Sequence, residues 1–253
     1  MRLLCVALLA FVATVSPAPG QTPGDRQKAR IANKAGWDYM RAEAFEKAVT
    51  AFQQSIELDP SFEMSFYGLG RAHLALKQFV SATSALSRCR DLYIAQVGRQ
   101  FTNQQEAQRY RQDRITEMDE LIRQLQSAPQ TAAVQDQLRQ VQEQKRQIQE
   151  FITRGNNSMT ITSGVPAWVS LSLGSALFRS GKLADAETEY KAAISADPRS
   201  GEAHNNLAVV YLETNRVNEA LASINAAKKT GFKVNPELEK AIREKTKPVS
   251  PKS

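Results

Sequence analysis

The chain has 253 residues, 42% of them hydrophobic, with a formal net charge of +7 and two cysteines. That apolar share is enough to build a core without staples, and two cysteines exclude a disulfide-rich scaffold. Lys and Arg alternate with Asp and Glu along the chain, and the single basic run is the tail Lys245 to Lys252, which argues against a nucleic-acid-binding surface.

The first element is a leader. Met1-Arg2 is followed by an apolar run from Leu3 to Val15 and then by Ser16-Pro17-Ala18-Pro19-Gly20. A basic start, a short apolar core and small residues describe a signal peptide over 1–20, cut near Gly20, before Gln21. The expected mature protein is therefore exported, periplasmic or extracellular. No later run approaches the roughly 18 apolar residues of a spanning helix, so the mature chain is expected to carry no transmembrane segment. Cys5 leaves with the leader, and Cys89 remains as a buried structural thiol. Residues 21–27 read as a flexible N-terminus.

A 34-residue period then organises the chain. Gly36, Ala48, Phe52 and Ser55 recur as Gly70, Ala82, Leu86 and Cys89. Further on, Gly174, Ala186, Tyr190 and Ala193 recur as Ala208, Ala220, Ile224 and Ala227. Each period is a helix-turn-helix unit in which Gly36, Gly70, Gly174 and Ala208 sit mid-way along the first helix, where lack of bulk lets the second helix approach. Phe52, Leu86, Tyr190 and Ile224 fill the space between units. Pro60 and Pro198 close second helices because proline cannot continue the ladder. Units of this length bury their apolar sides only by stacking. The expected class is all-α, a helical-repeat solenoid with units at 28–61 and 62–96 (repeats 1 and 2, 28–96) and at 167–200 and 201–234 (repeats 3 and 4, 166–234).

Gly70 and Gly174 are 104 residues apart, 70 more than one step, so something is inserted. The stretch Arg99 to Arg154 holds fifteen glutamines, nine basic and eight acidic residues, unlike the repeats. Ile115, Met118, Ile122 and Leu125 form one stripe; Val134, Leu138, Val141, Ile148 and Ile152 form another, interrupted by Lys145. Pro129 lies between them. We read 97–154 as an antiparallel, coiled-coil-like hairpin of two helices that projects from the solenoid. Its thin seam requires it to pack back on the repeats or to find another copy or partner. After it, 155–165 is a loop ending at Pro166. Asn235-Pro236-Glu237 opens a capping helix over 235–246, with Leu238, Ala241 and Ile242 on one face, and 247–253 is a disordered basic tail.

The spacing of small and large residues resembles the tetratricopeptide repeat family over all four units. Departures exist: Ala32 stands where the family favours a large residue, His73 and Leu177 where it often has tyrosine, and Ile94 and Phe232 replace the closing proline. The resemblance implies that the first helix of each unit lines a concave groove. The family's peptide-contact positions map onto Asn33, Trp37, Tyr67, Arg71, Leu171, Ser175, Asn205 and Val209, with Trp168 and Phe178 on the same helices. Asparagine can hold an extended backbone, and Trp, Tyr and Arg are common binding anchors.

Chemistry is not written in the chain. His73 and His204 fall on scaffold positions, no metal motif is present, and Gly68-Leu69-Gly70 lies inside a repeat helix with no third glycine. Neither a nucleophile elbow nor an isolated carboxylate pair stands out. The expected protein has no catalytic residues, no cofactor and no metal. It is an exported, non-enzymatic adaptor for a protein or peptide partner, or alternatively an assembly element whose hairpin makes homo-oligomers.

Overall fold

The computed structural model describes residues 23–155, 158–160 and 164–246, and these contain eleven helices. The leader and the basic tail lie outside the described residues. Repeat 1 is α1 (Pro23–Arg41) and α2 (Phe45–Leu58); repeat 2 is α3 (Glu63–Ala75) and α4 (Phe79–Gln96). The insertion is α5 (Gln104–Ser127) and α6 (Ala132–Thr153). Repeat 3 is α7 (Ala167–Arg179) and α8 (Leu183–Ala196), repeat 4 is α9 (Gly201–Glu213) and α10 (Val217–Lys229), and α11 (Pro236–Thr246) packs on α10. The expected flexible start at 21–27 needs correcting. From Pro23 the chain is helical, tied down by Arg26, whose guanidinium pairs with Asp59 at 2.6 Å and stands 4.3 Å over the Phe62 ring.

The glycine-large-residue pairs set the helix spacing inside each unit. A Cβ on Gly36 would stand 2.6 Å from the Phe52 ring, one on Gly70 would meet Leu86 at 2.5 Å, and one on Gly174 would meet Tyr190 at 2.7 Å. Every unit also turns in the same way. Glu43, Lys77, Gly181 and Asn215 take left-handed φ angles of 55°, 58°, 76° and 58°. The following amides of Ala44, Gln78, Lys182 and Arg216 bond back to the carbonyls of Tyr39, His73, Leu177 and Tyr211, so each first helix ends in the same six-to-one closure.

Successive units stack α2 on α3, α4 on α7 and α8 on α9. Repeats 2 and 3 are thus neighbours in space although the insertion separates them in sequence. A row of rings marks that continuity: Phe52 to Trp37 at 5.2 Å, Trp37 to Tyr67 at 6.0 Å, Tyr67 to Trp168 at 4.5 Å and Trp168 to Tyr93 at 6.1 Å.

The insertion is an antiparallel pair, as the cross-links Asp119–Lys145 (2.5 Å) and Arg111 over Phe151 (4.9 Å) require. Its base is closed where Phe101 N–H donates to the carbonyl of Met159 at 2.7 Å. It does not project. Met118, Leu121, Leu125 and Val141 belong to the same apolar cluster as the repeats, with α5 against α1 and α6 against α7 and α9. The physical reason is that α5 has a second buried face. Arg114, Glu117 and Glu120 stand three residues apart, so they share a face of α5 beside the apolar stripe, and they are buried as ion pairs. Ile152, by contrast, falls outside the seam and is exposed.

Candidate functional site

The first helices stand side by side, α1 beside α3, α3 beside α7 and α7 beside α9, and form one wall. The hairpin lies against this wall, so the groove that the repeats build is partly filled by the chain itself.

On the α1 side the contact is ionic. Arg30 meets Asp113 at 2.7 Å and Glu117 at 3.2 Å, Arg41 meets Glu120 at 3.1 Å, and Arg26 approaches Glu117 at 3.8 Å. Arg114 of α5 crosses the other way. It pairs with Glu63 of α3 and with Glu117 (3.1 Å), donates to the Tyr93 hydroxyl at 3.3 Å, and stacks 4.8 Å from the Tyr93 ring. Burial pushes the Glu117 carboxyl above its ordinary value, more than the neighbouring guanidiniums of Arg114, Arg26 and Arg30 bring it down. Burial also raises Asp59, but there the Arg26 charge and the bonds from Ser61 outweigh it, and the net direction is down.

On the α7–α9 side the contact mixes side-chain amides, one ion pair and one carboxylate at a helix start. Asp136 of α6 accepts from the Glu202 N–H at 3.1 Å and from Ser200 Oγ at 3.2 Å, so an anion sits at the N-terminus of α9. Arg139 reaches Asp197 at 2.7 Å, Gln140 Nε2 donates to Ser200 Oγ at 2.9 Å, and Trp168 Nε1 donates to Gln144 Oε1 at 3.1 Å.

The eight positions named from the sequence divide into three groups. Trp37 is 1% exposed, held between Phe52 and Tyr67, and Leu171 and Asn33 are buried too; Asn33 Nδ2 donates to Ser65 Oγ at 3.4 Å. These three side chains support the wall rather than face an open groove. Tyr67 and Arg71 form the second group. The Tyr67 hydroxyl accepts from Arg71 at 2.9 Å and from Gln137 Nε2, and Arg71 donates to Gln137 Oε1 at 3.1 Å, so α6 covers both. Ser175, Asn205 and Val209 form the third. They are half-buried with no hydrogen bond to the hairpin, and Asn205 Oδ1, itself buried, has no donor among the described residues. Sequence reasoning brought the right helices together but missed the hairpin's share of the wall: Arg26, Arg30 and Arg41 on α1, and Asp113, Glu117 and Glu120 on α5. The signal that exists is their helical spacing, basic at i and i+4 on one helix and acidic at i, i+4 and i+7 on the other, which shows two charged faces but not that they meet.

A family profile described as tetratricopeptide repeat matches residues 33–93 and 171–232, leaving the hairpin unmatched. No curated protein matches the chain. Among solved structures, the first TPR of Spaghetti (RPAP3) bound to HSP90 peptide SRMEEVD aligns at 15% identity over 75% of this chain and 95% of its own, with a TM-score of 0.45. PilW, a widely conserved type IV pilus biogenesis factor, aligns at 14% identity over 87% and 86%, with a TM-score of 0.40. YrrB, a TPR protein with an unusual peptide-binding site, aligns at 15% over 88% and 95%, with a TM-score of 0.30.

Proposed function

Because the chain belongs to the tetratricopeptide repeat family, we propose that it is a non-enzymatic adaptor that holds a protein or peptide partner on the inner wall of its repeats. The stretch that its own hairpin leaves uncovered, Ser175, Asn205 and Val209, is the contact surface. The observation that carries this reading is that Ser175, Asn205 and Val209 stay half-buried on the wall with no hydrogen bond to the hairpin, and the Asn205 amide, held among the described residues only by its neighbour Asn206 at 3.3 Å, can turn to meet a partner's backbone. Arg71 and Tyr67, at the edge of the hairpin, extend the surface wherever a partner displaces Gln137.

Self-association through 99–154 draws less support, since the seam and the charged face of the hairpin are both engaged with its own repeats. The leader reading of 1–20 places the adaptor outside the cytoplasm, and N-terminal sequencing of the secreted product near Gln21 tests it. For the groove, a partner captured from extracytoplasmic extract should be lost with Asn205→Ala/Val209→Asp while the melting temperature holds. Full capture by that folded variant overturns the assignment, and a wild-type protein that runs as a stable oligomer through the hairpin favours the assembly reading instead.

A further inference from the structure

A second site lies at the base of the hairpin, where its helices meet the wall, and includes none of Ser175, Asn205 and Val209. Between the basal halves of α5 and α6, the end of α4 and the start of α7 lies a cleft of about 520 Å³, within the range of small-ligand sites. Tyr93, Phe101, Tyr110, Phe151 and Trp168 present their rings to it.

The charges in its lining cancel, with one exception. Arg114 is met by Glu63 and Glu117, Arg139 by Asp136 and Asp197, and Glu143 by Arg146. Arg111 has no carboxylate among the described residues. Its guanidinium donates once, to the carbonyl of Ser158, and otherwise lies over rings, 4.9 Å from the centre of Phe151 and 6.0 Å from that of Phe101. Burial without a counter-charge pushes its pKa down. A half-buried guanidinium with most of its five donors unused is complementary to a planar anion. Gln140, buried in the same lining, carries a side-chain oxygen with no donor.

We propose that this cleft binds a small monoanion, a carboxylate carried on an aromatic or aliphatic body, with the carboxylate on Arg111 and the body against Phe151, Trp168 and Tyr93. One uncompensated cation suits a single negative charge. A polyphosphate would face a lining whose other cations are already neutralised, and a neutral ligand would leave Arg111 without an anion.

Titration calorimetry on the full chain tests this with N-acetylphenylalanine and decanoate, each beside its uncharged amide. At least one acid should bind about tenfold or more tightly than its amide, and which acid does so identifies the source of the carboxylate. Arg111→Gln should bring the acid down to the level of the amide, and Arg111→Lys, which keeps the charge, should retain part of the preference. Asn205→Ala, on the groove wall, should leave both affinities unchanged, so a failure here is separate from a failure of the adaptor reading. The proposal is overturned if neither acid binds up to about 10 mM, if acid and amide bind alike, or if folded Arg111→Gln keeps the preference. Should Arg111→Gln fail to fold, the wild-type contrast of acid and amide decides alone.

Discussion

Replacing Arg114 with methionine tests how the hairpin is held. Methionine matches the length of the arginine stem, so packing around Tyr93 and Tyr110 changes little while the charge disappears. Two carboxylates lose their partner, but not equally. Glu117 keeps Arg30 at 3.2 Å and Arg26 at 3.8 Å. Among the described residues Glu63, 1% exposed, keeps only the Gln96 amide at 3.2 Å. An uncompensated buried carboxylate costs about 3–5 kcal/mol, and the loss should come mainly through Glu63. Urea unfolding followed by far-UV circular dichroism measures it. Arg114→Met alone should lose about 3 kcal/mol or more near pH 8, whereas Arg114→Met/Glu63→Gln should lose about 1–2 kcal/mol, because no charge is then stranded. An orphaned buried carboxylate takes up a proton as the pH falls, so the single variant's loss should shrink towards pH ~5. A loss under about 1 kcal/mol, or one that Glu63→Gln does not relieve, would show that the ion pairs do not hold α5 on the wall.

Gly174→Leu should cost about 1–3 kcal/mol or more, since even a Cβ there would stand 2.7 Å from Tyr190; an unchanged melting temperature refutes the repeat register. Cys89 is fully buried and burial pushes its thiol pKa well up, so a thiol reagent should react only as fast as the protein opens, and reaction within seconds in native buffer would contradict that packing. Glu202 faces Asp136 and Arg71; burial, with Asp136 adding to it and Arg71 opposing, raises its carboxyl from 4.5 to about 7. The folded form holds this proton more tightly than the unfolded one, so the stabilisation is full below about pH 4.5 and is lost as the pH rises through about 7, by at most about 3 kcal/mol and less for the solvent that reaches the group. Glu202→Gln should remove that slope from urea midpoints measured between those pH values; an identical slope in both proteins rules the group out.

The 34-residue spacing determined the repeats, because a glycine or alanine facing a large residue at fixed offset has one geometric use in a helix pair, and Gly36, Gly70 and Gly174 have that use here. The inserted helices were legible too, from their apolar stripes. The turns were legible in principle: Glu43, Lys77, Gly181 and Asn215 stand at one offset, but only the glycine and the asparagine advertise a left-handed φ. What the sequence left open was where the hairpin goes. Its glutamines and charges read as a solvated surface, since an ion pair between Arg30 and Glu117 or between Arg114 and Glu63 leaves no trace in local periodicity. Only the tertiary structure decided that α4 stacks on α7, that this brings the wall of first helices against the hairpin, that Trp37 lies beneath the groove surface, and that α6 covers Tyr67. The physical reason is that apolar periodicity reports which face of a helix is buried, whereas charge complementarity between distant helices acts only once chain stacking has brought them within a few ångströms.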